Sequence, residues 1–268
     1  MANTLASRAV LWPKGAMHDL DHYEMADGRR IAHRHLIGDG PTLVFLPGYM
    51  SDMAGGKASA LYDEARRSGR PALLLDYSGC GESSGDFADG TLSRWCEEVV
   101  ALIGELVDGE VLLVGSSMGG WLMLLVAEAL LEKTGHRCAG MIGIAAAPDF
   151  TRWGLTDEQR AALESGEIVR EPNPYGPEPT PTHPGFFADA ERHLRLDGSI
   201  PLDMPVRLLH GQRDADVPWE TSVRLADALR SDDIQVTLVK DGDHRLSRDG
   251  DITLLKSVVA SFYRPFDG

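Results

Sequence analysis

Residues 111–119 of this 268-residue chain read VLLVGSSMG, and this stretch decides the fold. Its first four residues are apolar and predict a buried strand, and a helical pattern begins at residue 119. Between them, residues 115–119 match G-x-S-x-G, a sharp strand-to-helix turn that lifts a serine hydroxyl out of a sheet. Glycines flank the serine because its strained backbone leaves no room for a neighbouring Cβ. The stretch therefore predicts a sheet that presents Ser117 as a nucleophile.

Short apolar runs alternate with amphipathic segments along most of the chain, which is typical of βα units around a mostly parallel sheet. The predicted strands are residues 42–46, 72–76, 111–114, 141–145, 206–209 and 235–239. The predicted helices are residues 57–68, 91–106, 119–133, 219–230 and 252–262. A hairpin that turns at Asp27-Gly28 is predicted within residues 22–36. We therefore predict an α/β fold with helices on both faces of the sheet.

Residues 148–205 interrupt this alternation between two late strands. The sequence from Thr156 to Gln159 is a capping box and predicts the start of a helix. The prolines of residues 171–185 argue against regular helix or central strand there. An insertion of this size is more typical of an active-site lid than of a second domain. We predict one domain over residues 1–268 with a lid at about 148–205.

The amino-acid composition limits the binding partners and the cellular compartment that we expect for this chain. The formal net charge is −15, which disfavours nucleic acid and anionic lipid as partners. The three cysteines lack C-x-x-C spacing, which argues against a disulfide framework or a zinc site. No apolar stretch is long enough to span a bilayer, and the oligomeric state stays open. We predict a cytoplasmic protein; the alternative is a short transit peptide, since residues 1–18 contain no acid and carry Arg8 and Lys14.

A serine hydroxyl at neutral pH needs a base and an acid that orients the base. Among the histidines after Ser117, His244 lies just beyond the last predicted strand, where parallel sheets present catalytic groups. Asp214 and Asp216 follow the penultimate strand, and Asp149 follows the strand before the insertion. Asp214 is our first choice for the acid, with Asp216 and Asp149 as alternatives.

Acyl transfer also needs two backbone N–H donors for the developing oxyanion. The predicted donors are Met118, directly after the nucleophile, and Tyr49, just beyond the strand at residues 42–46. Apolar residues of the insertion either line an acyl pocket or anchor the insertion to the sheet; they are Phe150, Trp153, Leu155, Phe186 and Phe187.

The other glycine-rich stretches do not match nucleotide-binding loops. Gly56-Lys57 lacks the serine or threonine that follows lysine in a Walker loop, and Ser84 replaces the last glycine of G-x-G-x-x-G. The sequence therefore predicts neither a cofactor nor a metal.

Four stretches carry a family resemblance: LPGYMSDMAGGK at residues 46–57, DYSGCGES at 76–83, GSSMGGWLM at 115–123 and HGQRDADVPW at 210–219. They resemble the α/β-hydrolase superfamily, in the branch of a mitochondrial palmitoyl-protein thioesterase that is also an acyl-glucuronide esterase. The resemblance implies the α/β-hydrolase fold and acyl ester or thioester substrates. It supports Asp214, which stands at the acid position of His-Gly-x-x-Asp, although an alanine separates Asp214 from Asp216 where the family's acidic pair is adjacent.

These features predict a serine hydrolase that cleaves a carboxylic ester or acyl thioester in two steps, through an acyl-enzyme on Ser117. Two alternatives stay open: a C–C bond hydrolase or peptidase that uses the same triad, and a hydrolase-like protein that binds a ligand without catalysis. A haloalkane dehalogenase is excluded, because displacement at carbon needs a carboxylate in place of Ser117.

Overall fold

The computed structural model describes residues 20–133, 137–174 and 176–263 and is built around an eight-stranded sheet. The strands are β1 (Asp21–Glu24), β2 (Arg30–Leu36), β3 (Thr42–Leu46), β4 (Ala72–Leu75), β5 (Val111–Ser116), β6 (Cys138–Ile144), β7 (Val169–Glu171), β8 (Thr180–Thr182), β9 (Val206–Gly211) and β10 (Ile234–Val239). The helices are α1 (Gly56–Ser68), α2 (Leu92–Leu106), α3 (Met118–Lys133), α4 (Phe150–Trp153), α5 (Asp157–Glu164), α6 (Pro184–Ala190), α7 (Glu220–Ala228) and α8 (Asp249–Ser261).

The sheet order is β1-β2-β4-β3-β5-β6-β9-β10, and every neighbouring pair from β4 to β10 is parallel. The hairpin β1-β2 adds two antiparallel strands at one edge, with Gly28 at φ 87° in its turn. All residues of β3 and β5 are buried, because helices cover both faces: α1 and α8 on one, α2 and α3 on the other. The predicted fold class is confirmed. None of the described helices is long and apolar enough to cross a membrane.

The sequence predicted the central elements to within a few residues but was less accurate in the insertion between β6 and β9. The capping box at Thr156 is present and starts α5. The short ribbon β7-β8 was not predicted. Helix α6 begins at Pro184, inside the segment for which regular helix was excluded. That exclusion was wrong at its end, because proline is well tolerated at the first position of a helix, where its missing N–H would have no partner.

The part of the insertion that leads back to β9 is hydrogen-bonded to α2 and α3. The carboxylate of Asp189 on α6 accepts hydrogen bonds from the backbone N–H of Ser93 at 2.9 Å and from its hydroxyl at 2.7 Å. Arg195 donates to Glu128 on α3 through Nε and Nη2, the latter at 2.8 Å from Oε2. These bonds fix the end of the insertion above the carboxyl edge of the sheet.

The first turn of α3 packs directly against the end of β3. A Cβ at Gly119 would lie 2.1 Å from the carbonyl oxygen of Leu46 and 2.5 Å from that of Pro47. A Cβ at Gly115 would lie 2.3 Å from the carbonyl oxygen of Gly119. Both glycines are therefore required by close backbone approach.

We predict that Gly119→Ala destabilises the protein by about 2–3 kcal/mol, because backbone carbonyls cannot move aside as a flexible side chain would. Gly104→Ala is the matched control, since Gly104 lies in α2 and a Cβ there meets nothing within 4 Å. The control variant should be about 0.5–1 kcal/mol more stable than the wild type. Urea unfolding of both variants measures this, and equal stability of Gly119→Ala and the wild type would contradict the packing argument.

Candidate active site

Ser117 occupies a left-handed turn between β5 and α3, at φ 54°. Such a conformation costs a non-glycine residue roughly 1–2 kcal/mol. Three backbone hydrogen bonds hold it: the N–H of Ser117 donates to Ile144 at 2.9 Å, and its carbonyl accepts from Gly120 at 2.8 Å and Ala147 at 3.0 Å. The turn leaves Ser117 half-buried at the carboxyl edge of the sheet.

His244 lies within hydrogen-bond distance of both Ser117 and Asp214. Its Nε2 is 3.1 Å from Oγ of Ser117, and its Nδ1 is 2.9 Å from Oδ2 of Asp214. An ionised carboxylate only accepts hydrogen bonds, so Nδ1 carries the hydrogen and Nε2 is left to accept from the serine hydroxyl. The structure brings these three predicted residues together in the arrangement of a nucleophile, a base and an orienting acid.

The Asp214 side chain is completely buried, and both of its oxygens are hydrogen-bonded. Oδ1 accepts from the backbone N–H groups of Asp216 at 2.9 Å and Val217 at 2.8 Å. Oδ2 accepts from His244 and, at 3.1 Å, from Nε2 of His210. Burial by itself raises the pKa of this carboxyl, but the hydrogen bonds from the two histidines and the nearby charge of His244 outweigh it and lower the pKa below its usual value. Asp214 is therefore ionised at neutral pH.

Asp149, one of the alternative acids, binds a different part of the chain. Its carboxylate accepts from the backbone N–H groups of Arg195 at 2.9 Å and Leu196 at 2.7 Å. These bonds hold the end of the insertion against the loop after β6. Burial raises the pKa of Asp149, and the two N–H donors oppose that effect.

Asp216, the other alternative, is an exposed residue whose backbone N–H supports Asp214. One ligand atom from each of Asp214, Asp216 and His244 lies within 4.8 Å of the others, a spacing compatible with a metal ion. Both oxygens of Asp214 already accept two hydrogen bonds each, which favours a hydrogen-bonded acid over a metal ligand.

Hydrogen bonds hold the loop that carries His244 on both sides of the histidine. Arg248 donates to the carboxylate of Asp241 at 2.8 Å and to that of Asp251 at 2.8 Å. Lys57, at the start of α1, donates from Nζ to the carbonyl oxygen of Arg245 at 2.5 Å. Burial, and after it the charge of Arg245, lower the pKa of Lys57 to about 8. The sequence pattern does not reveal this contact, because a lysine on an amphipathic helix normally faces solvent.

The two predicted oxyanion donors flank the serine. Gly48 lies against the nucleophile, since a Cβ there would be 3.4 Å from Cβ of Ser117. In the part of the chain that the structure describes, the backbone N–H groups of Tyr49 and Met118 donate to no protein acceptor. Met50 follows at φ 55°, so the loop turns sharply just after Tyr49. Both N–H groups are thus available to bind a negatively charged oxygen.

A buried carboxylate that the sequence did not single out supports this loop. Oδ1 of Asp76 accepts from the backbone N–H of Met53 at 2.7 Å, and Oδ2 from that of Glu82 at 2.9 Å. The hydroxyl of Tyr77 donates to the carbonyl of Pro47 at 3.1 Å. Burial raises the pKa of Asp76, while the two N–H donors lower it. Together Asp76 and Tyr77 fix both ends of the loop at residues 47–53, which carries the predicted oxyanion donor Tyr49.

The five apolar residues proposed for the acyl pocket fall into separate groups. Phe150 and Phe186 stack with ring centroids 5.7 Å apart, and both contact the ring of Tyr49, Phe186 at 4.9 Å. Trp153 donates from Nε1 to the carbonyl oxygen of Pro148 at 2.8 Å. A separate small core inside the insertion contains Leu155, Leu163, Val169 and Phe187. Leu155 and Phe187 therefore stabilise the insertion, and of these five residues Phe150 and Phe186 are the ones whose rings contact Tyr49.

Comparison with known proteins places this chain among hydrolases. Residues 43–251 match the model of the Alpha/beta hydrolase family. The human mitochondrial palmitoyl-protein thioesterase ABHD10 is 39% identical over 229 residues, which cover 84% of this chain and 74% of that protein. A putative hydrolase from Agrobacterium vitis S4 has a crystal structure that superposes with a TM-score of 0.86 at 36% identity, covering 92% of this chain and 100% of that chain. The mouse alpha/beta hydrolase domain-containing protein 10 gives 0.84 at 35% identity, covering 92% and 98%.

The predicted cytoplasmic location is contradicted by these relatives. The human and bovine proteins, 39% and 36% identical, are both named as mitochondrial. The composition argued only against secretion and membrane insertion, and it does not separate one intracellular compartment from another. The alternative of a transit peptide concerns residues 1–18, which lie outside the described residues.

We predict that Asp214→Asn slows the reaction of Ser117 with a fluorophosphonate by about 10³–10⁴-fold, because the asparagine favours the wrong tautomer of His244. Asp216→Asn, which keeps the backbone N–H bonded to Asp214, should change the rate by less than about threefold. Labelling rates measured by gel fluorescence at neutral pH separate the two. A larger loss in Asp216→Asn than in Asp214→Asn would reverse the assignment of the acid.

Proposed function

Since the chain belongs to the alpha/beta hydrolase family, we propose that it is a serine hydrolase that cleaves a carboxylic ester or acyl thioester through an acyl-enzyme on Ser117. One observation carries the proposal: the hydrogen-bonded chain from Ser117 through His244 to Asp214 lies beside two backbone N–H groups that have no acceptor among the described residues. A ligand-binding protein without catalysis has no need for this combination.

In the first step His244 takes the proton from Ser117 as Oγ attacks the acyl carbon. Asp214 stays ionised and stabilises the imidazolium that forms. His244 then gives its proton to the departing oxygen or sulfur, and the acyl group remains on Ser117. In the second step the same imidazole takes a proton from water as the water oxygen attacks the acyl carbon. The bond between the acyl carbon and Oγ of Ser117 then breaks, His244 returns the proton to Oγ, and the acid is released.

The N–H groups of Tyr49 and Met118 are the proposed donors to the oxyanion in both steps. Each such donor is worth roughly 3 kcal/mol of transition-state stabilisation. The Asp76 contacts keep the Tyr49 loop in place before substrate binds, so no reorganisation is needed during the reaction.

We assign the insertion the role of a lid that holds an apolar acyl group. Tyr49 connects the lid to the loop at residues 47–53, because its hydroxyl donates to the carbonyl oxygen of Pro181 at 3.0 Å. Its ring contacts Phe150 and Phe186 of the lid. The Gly48–Tyr49 loop, which lies beside the nucleophile, thus packs against aromatic rings of the lid, and this supports an apolar acyl chain as the group that binds there. The name of the human relative, a palmitoyl-protein thioesterase, supports an acyl thioester as substrate.

We predict that the purified protein hydrolyses p-nitrophenyl esters and acyl thioesters and that Ser117→Ala lowers kcat by at least about 10⁴-fold, because water at the site is a far weaker nucleophile. Hydrolysis is measured by nitrophenolate release and by thiol release. A C–C bond hydrolase or peptidase would also label with a fluorophosphonate, and it would cleave a C–C bond or a peptide with a higher kcat/KM than these esters and thioesters. A protein that neither labels nor hydrolyses would be a ligand-binding member of the family.

We predict that Phe186→Ala raises kcat/KM for long acyl chains relative to short ones by about tenfold, because it opens space beside Tyr49. Phe187→Ala is the matched control, since the neighbouring ring packs in the small core of the insertion. Both phenylalanines are buried, so each variant should lose about 3–5 kcal/mol of stability, and the control should show little change in chain-length preference. A chain-length series of p-nitrophenyl esters tests both variants, and an equal shift in preference would contradict the division of the aromatic residues.

A further inference from the structure

His210, near the end of β9, is fully buried although it carries a polar ring. Its Nδ1 lies 2.7 Å from Oγ of Ser222 on α7. Its Nε2 lies 3.1 Å from Oδ2 of Asp214 and 3.1 Å from the carbonyl oxygen of Val217. Both ring nitrogens are therefore hydrogen-bonded inside the protein.

The partners of His210 determine which nitrogen carries the hydrogen. Nε2 faces a carboxylate and a carbonyl, which both only accept, so Nε2 is the donor. In the neutral ring Nδ1 then accepts from the hydroxyl of Ser222. Accepting that bond makes the Nε2–H group a better donor, because hydrogen bonds in a chain polarise one another.

Asp214 thus shares one oxygen between two imidazoles. A carboxylate oxygen that already accepts a hydrogen bond from His210 has less negative charge to offer His244. The other oxygen is fixed by the N–H groups of Asp216 and Val217, so the carboxylate cannot turn to compensate. A change at His210 therefore alters the hydrogen bond between Asp214 and His244.

We propose that His210 is a positioning residue: by donating to Oδ2 it fixes the Asp214 carboxylate and limits the strength of the hydrogen bond that the same oxygen accepts from Nδ1 of His244. The proposal rests on the proposed function, because it assigns His244 the role of the base. Other charged groups that surround the pair are Asp216, whose carboxylate lies close to both Asp214 and His244, and the Lys57 ammonium, which binds the carbonyl of Arg245. These groups are unchanged in the variants below.

The test is the proton NMR signal of the Nδ1–H group of His244 in isotope-labelled protein, which needs no substrate. In His210→Phe the competing donor is lost while the ring volume is nearly kept, and we expect the signal to move downfield because the hydrogen bond from His244 to Asp214 becomes stronger. His210→Gln keeps an N–H donor near the position of Nε2 and should leave the signal close to its wild-type position. With substrate, His210→Gln should keep more of the wild-type kcat/KM than His210→Phe does.

Ser222→Ala covers the case in which His210→Phe does not fold. It removes the hydroxyl that polarises His210 without touching Asp214, so it should move the same proton signal downfield by a smaller amount. A folded His210→Phe or Ser222→Ala protein in which the signal is unchanged or moves upfield would overturn the proposal. Failure of the wild type to hydrolyse any ester would instead refute the proposed function, while the NMR signal would still report the coupling of the two histidines.

Discussion

The rest of the site depends on the backbone of Ser117, which is held at φ 54° between a strand and a helix. This conformation is unfavourable for an L-amino acid, so the surrounding backbone must enforce it. Gly119 permits α3 to approach the carbonyls at the end of β3, and Gly115 permits the turn to close. The same contact brings the loop that follows β3 against the serine. One packing constraint therefore fixes both the nucleophile and the loop that carries a proposed oxyanion donor.

Buried carboxylates fix the other loops at this edge of the sheet. Asp76, Asp149, Asp189 and Asp214 each accept at least one backbone N–H from a loop or from the start of a helix. An ionised acceptor makes a stronger hydrogen bond than a neutral one, and it satisfies backbone donors that would otherwise be buried without partners. In this acidic chain several aspartates thus serve the architecture of the site, while Asp214 also contacts the histidine.

Local pattern was sufficient to predict the sheet, most helices and the turn at Ser117, because each is encoded by the periodicity and glycines of a short segment. The choice among Asp214, Asp216 and Asp149 was harder. All three aspartates follow the neighbouring strands β6 and β9, and the tertiary structure is needed to show which one contacts His244. The division of the insertion's aromatic residues was not predictable either, because whether a phenylalanine faces the nucleophile or a small separate core depends on the tertiary arrangement. His210 carried one usable signal: a histidine at the end of an apolar strand is buried and needs polar partners.

The proposed mechanism requires a covalent acyl intermediate on Ser117. Quenching the protein in acid during turnover of p-nitrophenyl butyrate, followed by peptide mass spectrometry, detects that intermediate. We expect a butyryl group on the hydroxyl of Ser117, and a higher occupancy when deacylation is slowed at lower pH. Steady hydrolysis with no acyl group on Ser117, or with the group on another side chain, would refute the mechanism.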